Sequence, residues 1–264
     1  MFEAKLAESA LLKKVIDAIK DLITDAPFDC TETALNLQSM DGSHVALVSL
    51  RLGVGIFDVY RCDRAVNLGL SLAHMSNALK CAKNDDSCLI RYDDEEGEGL
   101  TLTFEDNKGR KQDILVKLMD IDCEHLGVPD QKYSCIIEMP ASEFARTVKD
   151  LTIYSDTVVI NCTKEGIQFK ASGEGGTNTV SFSSETNEDE EGDDRVSVDV
   201  KEPVKLSFSI KYLNQFAKAA NISNRVRLSL AASVPVVVEY QIEEDGFLKF
   251  YLAPKIDDEA DMEA

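Results

Sequence analysis

The strongest constraint on this sequence is that part of it occurs twice, at a constant offset of 138 residues. The stretch from Leu68 to Ala82 aligns with the stretch from Leu206 to Ala220 at that offset, and an upstream stretch from Ser9 to Asp17 aligns with Ser142 to Asp150 at an offset of 133. The identical pairs in the main repeat are Leu68/Leu206, Ser71/Ser209, Lys80/Lys218 and Ala82/Ala220. Such a repeat indicates one structural unit used twice. At 264 residues the chain has room for two domains, each with its own core.

Within each copy the apolar pattern predicts a strand, a helix, several strands, a second helix and further strands. The first helix is predicted over Ser9 to Ile23, because apolar residues recur there at helical spacing, with Ser9 as its N-cap. Strands are predicted where residues alternate or are β-branched, as in Val45–Leu52, Leu100–Phe104 and Val196–Val200. We therefore expect an α+β fold of two similar domains, each with two helices packed on antiparallel sheets.

The segment from Lys117 to Tyr133 lacks sustained periodicity and contains Asp, Gly and Pro among isolated apolar residues, which is typical of an extended connector. The predicted organisation is an N-terminal domain over residues 1–117, a connector over 118–134, a C-terminal domain over 135–256 and an acidic tail over 257–264.

Neither a metal nor a cofactor is expected. The seven cysteines are scattered without a C-x-x-C pair, and the three histidines have no metal-ligand spacing. The sequence has no Walker A loop, no G-x-S-x-G elbow and no H-E-x-x-H motif, so we expect no enzyme. No apolar run is long enough for a membrane helix and the N-terminus has no secretory pattern, so we expect an intracellular protein without a membrane partner.

The net charge of −20 at first argues against a nucleic-acid partner. However, 17 acidic residues lie in three runs that contain no Lys or Arg, and removing them from −20 leaves −3 on the rest of the chain. These runs are Asp93–Glu98, Glu185–Asp194 and Asp257–Ala264. A locally basic surface on the remainder is therefore compatible with the composition.

Basic residues recur on the polar faces of the predicted helices. Lys13 and Lys20 are seven residues apart and so share one helix face, as do Lys211 and Lys218. The repeat also aligns Lys13 with Arg146. This recurrence favours a surface that faces phosphates. Because no base-reading motif accompanies it, binding would be independent of sequence and sensitive to salt.

Several motifs, spread over nearly the whole chain, resemble the proliferating cell nuclear antigen family of eukaryotic DNA sliding clamps. They are Leu37–Asp41 with Ser43–Val45, Phe57–Asp58 with Tyr60–Arg64, Leu118–Asp120, Met139–Pro140 with Glu143–Arg146, and Tyr251–Ile256. The resemblance implies the DNA clamp fold, assembled as a six-domain homotrimeric ring around duplex DNA, with helices lining the hole. The residues implied to face the DNA are Lys13, Lys14, Lys20, Lys80, Arg146, Lys149, Lys211 and Lys218.

The resemblance also implies a nuclear processivity factor. Its partners would be double-stranded DNA, further copies of itself, DNA polymerase delta, an ATP-dependent clamp loader, and flap endonuclease, DNA ligase and other proteins that carry a PIP-box peptide. The pocket implied for that peptide comprises Met40, His44, Val45, Leu47, Leu126, Val128, Gln131, Tyr133, Pro235, Tyr251 and Ala253. Lys164 matches the family's ubiquitin-acceptor lysine.

The trimer joint of the family pairs two edge strands, which here correspond to Arg110–Lys117 and Gly175–Ser183. The joint residues assigned in this way are Arg110, Ile114, Lys117, Thr177, Val180 and Ser183. The sequence departs from the family at Ile114, where an aromatic is usual, and at Asn77 and Ile153, where basic or titratable residues are usual in animal clamps.

Three alternatives remain at this point. A subunit of a heterotrimeric checkpoint clamp would not need the peptide pocket and both joint strands in one chain. An acidic scaffold or histone chaperone would suit the charge but would not need periodic basic helices. An enzyme would need a convergent set of titratable groups that the sequence does not reveal.

Overall fold

The structure, a computed structural model, describes residues 1–95, 97, 99–121, 131–183 and 195–255. The chain divides into two compact units. The first comprises residues 1–128 and 241–249, and the second comprises residues 129–240 and 250–264. The domain boundaries expected from the sequence stay predictions. None of the helices within the described ranges has the length and apolar character needed to cross a bilayer.

The first unit contains two helices and two antiparallel sheets. Its elements in chain order are β1 (Phe2–Leu6), α1 (Ala10–Ile19), β2 (Asp25–Cys30), β3 (Ala34–Met40), β4 (Ala46–Gly53), a 3-10 turn (Val54–Ile56), β5 (Val59–Cys62), β6 (Val66–Ser71), α2 (Leu72–Leu79), β7 (Ser87–Tyr92), β8 (Gly99–Glu105) and β9 (Lys111–Lys117). One sheet has the strand order β5-β1-β7-β8-β9, and in the other β6, β2, β3 and β4 are successive neighbours.

The second unit repeats this order. Its elements are β10 (Cys135–Pro140), α3 (Ala141–Leu151), β11 (Thr157–Thr163), β12 (Gly166–Gly173), β13 (Gly176–Ser183), β14 (Ser197–Val200), β15 (Val204–Ser209), α4 (Ile210–Phe216), a 3-10 turn (Ala217–Asn221) and β16 (Arg225–Leu230). Two further strands, β17 (Val236–Ile242) and β18 (Gly246–Leu252), each begin in one unit and end in the other. One sheet has the order β13-β12-β11-β15, and in the other β14, β10, β16 and β17 are successive neighbours. The α+β fold of two similar domains is confirmed.

In each unit two helices pack side by side over buried strand residues. In α1 the apolar stripe of Leu12, Val15, Ile16 and Ile19 is fully buried. This helix contacts α2, and α3 in the second unit contacts α4 and the 3-10 turn that follows it. Burying one face of each amphipathic helix leaves the opposite face, with its charged residues, in solvent.

The first helix has Ser9 at its N-cap position, as predicted, but it ends at Ile19 rather than at Ile23. Ser9 precedes α1, but its backbone is already helical (φ −69°, ψ −14°) and its side chain makes no cap bond. Its hydroxyl instead donates to the carbonyl oxygen of Lys83. At the other end α1 stops at Ile19, and a tighter turn follows in which the Leu22 amide donates to the Ile19 carbonyl at 2.9 Å. An apolar pattern persists through such a turn, so periodicity alone overestimates helix length.

Cysteines and possible metal ligands give no sign of a metal site in the described ranges. The six cysteines there are free, and Cys81 alone among them is exposed. Burial raises the pKa of the Cys88 thiol to about 12, as expected for an inert core residue. Cys123 lies outside the described residues. No three His, Cys, Asp or Glu side chains among the described residues are arranged to hold a metal ion.

Candidate functional site

Two of the predicted DNA-facing lysines connect α1 to the segment that contains α2. The Lys13 ammonium donates to the carbonyl oxygen of Ala82 and lies 3.3 Å from Oδ1 of Asn84. The Lys20 ammonium lies 3.4 Å from the hydroxyl oxygen of Ser76. These contacts hold the Lys20 cation against α2 and the Lys13 cation against the segment that follows α2. Their positions are therefore set by the fold rather than by solvent alone.

The other two lysines of the first unit that are predicted to face DNA, Lys14 and Lys80, extend into solvent. Lys14 is exposed on α1, and Lys80 is exposed directly after α2, with its ammonium 3.4 Å from Oδ1 of Asn77. An ion pair with Asp17 offsets part of the charge of Lys20. The structure therefore places all four predicted lysines of this unit on or beside its helix pair.

In the second unit, α3 carries Arg146 and Lys149 on its solvent side, and both are exposed. The Arg146 guanidinium lies 4.0 Å from Glu143 and 3.9 Å from Asp150 within the same helix. Exposed pairs of this kind are weak, typically about 0.3–0.5 kcal/mol. The guanidinium is therefore available to exchange a carboxylate for a phosphate.

The remaining two basic residues lie on the helical segment that packs beside α3. Lys211 is in the first turn of α4, and Lys218 is in the 3-10 turn after it; both are exposed. Each unit thus presents a pair of adjacent helical segments that bear basic residues. Such a surface can make phosphate contacts but has no device for reading bases.

A tight hairpin between β3 and β4 orders the first group of predicted peptide-binding residues. The carboxylate of Asp41 accepts hydrogen bonds from the backbone amides of Val45 (2.8 Å), Ala46 (2.7 Å) and Ser43 (3.1 Å). His44 takes a left-handed backbone conformation (φ 57°) inside this turn. Asp41 therefore fixes the loop that presents His44 and Val45 to solvent.

Apolar side chains continue from this hairpin onto its strands. Met40 on β3 is the cross-strand partner of Leu47 on β4. Leu47 is almost fully buried, whereas Val45 remains 37% exposed. A small apolar surface therefore lies beside the Asp41 turn, and the structure brings together Met40, Val45 and Leu47 as predicted neighbours within this unit.

The second group of predicted peptide-binding residues lies in the second unit. Burial raises the pKa of the Tyr251 hydroxyl, and the neighbouring Tyr133 and Glu239 raise it further. Burial also raises the pKa of Tyr133. The two tyrosines are therefore half-buried close to each other. Three further predicted residues are exposed in this unit, namely Gln131, Pro235 and Ala253. Leu126 and Val128 lie outside the described residues.

The two strands assigned to the trimer joint both lie at the edge of a sheet. β9 is the last strand of its five-stranded sheet, and β13 is the last strand of its four-stranded sheet. Ile114 on β9 and Val180 on β13 are half-buried, which suits a strand with one open side. Arg110 was predicted to belong to the first strand, but it precedes β9 and its guanidinium lies 2.7 Å from Oε1 of Gln112. The other joint residues, Lys117, Thr177 and Ser183, are exposed on these strands.

Lys164 lies in the turn between β11 and β12, where it is exposed. Gly166 completes this turn with φ 145°, a conformation that side chains rarely adopt. The lysine therefore lies at an exposed hairpin end.

Asp41 orders a predicted binding loop, and the sequence interpretation did not single it out for that role. The run Asp-Gly-Ser before an apolar strand is typical of an aspartate that caps its own turn. That signal was present in the sequence and could have identified the residue.

Known protein families match the chain along nearly its whole length. Residues 1–125 match the N-terminal domain of proliferating cell nuclear antigen, and residues 127–255 match its C-terminal domain. Among individual proteins, the chain is similar to the proliferating cell nuclear antigen of Caenorhabditis elegans, with 60% identity over 264 residues that cover 100% of both sequences.

Proposed function

The chain belongs to the proliferating cell nuclear antigen family, and we propose that the basic residues on the helices of its two units face the DNA. As a member of this family it is a DNA sliding clamp and a processivity factor for DNA polymerase, and it is not an enzyme. It forms a homotrimer on DNA and works with DNA polymerase delta, a clamp loader and PIP-box proteins. The enzyme, acidic-scaffold and heterotrimer alternatives are thereby excluded.

One observation carries the proposal for DNA binding: both units present two adjacent helical segments with basic residues on their solvent side. Phosphate contacts from such residues are screened by salt and do not depend on sequence, so the clamp can slide along the duplex. Closure of the ring, rather than the strength of these contacts, would keep the clamp on DNA.

We further propose that the hairpin ordered by Asp41 and the surface around Tyr133 and Tyr251 each contribute to binding the PIP-box peptide. Support comes from the apolar side chains in each place and from the ordered turn that presents Val45. Half-buried tyrosines combine a large apolar contact area with a polar end, which is typical of peptide-binding surfaces.

We also propose that β9 of one subunit pairs with β13 of the next. Both are edge strands, and pairing them would supply partners for their open backbone groups. Exposure at a hairpin supports Lys164 as the acceptor for ubiquitin. Because the protein acts in DNA replication, we propose that it works in the nucleus.

Retention on circular DNA tests these proposals together. After loading by an ATP-dependent clamp loader onto nicked circular DNA, the protein should stay bound, and linearising the circle should release it. Val180→Glu places a charge in the proposed joint and should abolish retention on the circle. Val59→Glu is the matched control, because Val59 is 46% exposed on β5 and lies outside the proposed joint.

Retention that is the same on circular and linear DNA would contradict topological binding. Equal retention of the Val180→Glu and Val59→Glu variants, with both folded by circular dichroism, would contradict the assignment of the joint to β13.

A further inference from the structure

The start of the connector lies on a sheet edge, next to a glycine that has no role in the function described so far. β6 is the last strand of the nine-stranded sheet, so no strand of the described residues lies on its outer side. On that side the Met119 amide donates to the Gly69 carbonyl oxygen at 3.0 Å. Two residues after β9 ends at Lys117, the chain has therefore crossed from the edge of one sheet to the edge of the other.

The cross-strand partner of Gly69 explains why its carbonyl group points to this outer side. That partner is Pro27 on β2, and proline has no amide hydrogen. In an antiparallel pair, opposite residues either exchange two hydrogen bonds or direct their amide and carbonyl groups away from each other. Because Pro27 cannot donate, the pair is of the second kind, and Gly69 directs its carbonyl oxygen toward the connector.

Only glycine at position 69 lets the connector lie this close to β6. A Cβ atom there would lie 2.1 Å from the carbonyl oxygen of Met119, and 3.0 Å and 3.1 Å from Cγ1 and Cδ1 of Ile121. The carbonyl oxygen belongs to the backbone, so no side-chain rotation could remove that clash. β6 is paired with β2 along its whole length, so the connector rather than the strand would move. A glycine inside a strand often marks such a close approach of another backbone segment.

The segment that Gly69 holds leads directly into the proposed peptide pocket. Leu126 and Val128, which are assigned to that pocket, follow Ile121 by five and seven residues. The hydrogen bond of Met119 and the packing of Ile121 on Gly69 fix the place where the connector leaves the sheet. A binding surface that is ordered in advance binds more tightly, because less ordering remains to be done when the ligand arrives.

We propose that Gly69 is a positioning residue for the binding of PIP-box peptides. It admits the backbone of Met119 and the side chain of Ile121 onto β6, and so it fixes the start of the connector and the pocket residues that follow. Gly69 acts through the connector and does not need to touch the peptide. The inference rests on the peptide-binding function proposed above.

Filling the space at position 69 tests this inference. Gly69→Ala should raise the dissociation constant of a PIP-box peptide by about tenfold, because the peptide would have to order a displaced connector. Fluorescence anisotropy with a labelled peptide measures this constant. Hydrogen exchange in residues 118–121 should become faster, because the Met119 amide would lose its bond to Gly69. The native mass should stay that of the wild-type trimer.

Three further variants separate positioning from general effects. Gly55→Ala is the matched control, because a Cβ atom there would lie 3.7 Å from the nearest atoms, which belong to Asp245, and it should change neither affinity nor exchange. Ile90→Ala removes a fully buried side chain from β7 and should lower the stability in urea without changing the peptide affinity. Ile121→Ala removes the packing on Gly69 without any clash and should also weaken peptide binding. It tests the inference even if Gly69→Ala does not fold.

Unchanged peptide affinity in a folded Gly69→Ala variant, or in Ile121→Ala, would overturn the inference and would leave Gly69 the smaller role of covering an edge strand. An equal loss of affinity in Ile90→Ala would also overturn it, since the loss would then follow the stability of the unit alone. Each of these results leaves the proposed function intact. A wild-type protein that does not bind the peptide would instead contradict the proposed peptide-binding function itself.

Discussion

At the scale of single residues, Asp41 shows how one side chain can order a loop that we propose to bind a peptide. Its two carboxylate oxygens satisfy three backbone amides in the β3–β4 hairpin, and a hydroxyl donor from Ser43 lies 2.8 Å away. His44 adopts a left-handed conformation within the same turn. Such a conformation is unfavourable for a residue other than glycine, so it persists because Asp41 holds the turn around it.

Replacing Asp41 with alanine should weaken both the hairpin and the binding of a PIP-box peptide. The amides of Val45 and Ala46 would lose their acceptor, and leaving the buried amide of Ala46 unsatisfied costs about 1–3 kcal/mol. Urea denaturation would measure the loss of stability, and fluorescence anisotropy would measure the peptide affinity. Asp58→Ala, at an exposed aspartate, is the control and should change neither. Unchanged peptide affinity in Asp41→Ala would contradict a role for this hairpin in peptide binding.

Predictions for single residues were correct where the position of a side chain depends on burial alone. They failed where a polar side chain could bond to more than one backbone group. Leu12, Val15 and Ile16 were predicted to face the core because of their spacing, and they do. The hydroxyl of Ser9 was expected to accept a bond from the helix end, but it makes no cap bond and donates to the Lys83 carbonyl. That carbonyl is distant in sequence, so no local pattern could reveal it.

At the scale of secondary-structure elements, the proposed DNA contacts lie on the helix pairs and the proposed joint lies on the edge strands. Each helix buries one apolar stripe, which leaves its basic residues on the opposite side. The sequence could predict this arrangement because the apolar stripe and the basic residues both recur at helical spacing. It could not predict that α1 ends at Ile19, since the helical apolar spacing continues to Ile23, which is also buried.

Removing two charges from α3 should lower the salt dependence of DNA binding. If Arg146 and Lys149 each contact one phosphate, changing both to alanine should reduce the magnitude of the slope of log K against log salt by about 2. Lys170→Ala with Lys205→Ala is the matched control, because these lysines are exposed on β12 and β15 rather than on the helices. Binding to a short duplex across a salt series gives the slope. An equal reduction in both double variants would mean that net charge, not the helix surface, sets the affinity.

At the scale of the whole molecule, the repeat in the sequence predicted the repeat in the fold. Both units have the same order of strands and helices up to their final strands, because the same apolar spacing recurs in each half. The segment 241–249 shows where this reasoning stops, since it belongs to the first unit. Long-range contacts decide that assignment, such as the 2.8 Å hydrogen bond from the Gly53 amide to the Asp245 carbonyl. No periodic pattern encodes a contact between residues so far apart in sequence.

The central claim is that this chain forms a closed trimeric ring by itself, and its native mass in solution tests that claim most directly. Light scattering of the wild-type protein at micromolar concentration should give a mass of about three times the 29.1 kDa of one chain. A mass equal to one chain under the same conditions would contradict the account, because a monomer cannot encircle DNA and would leave β9 and β13 without partners.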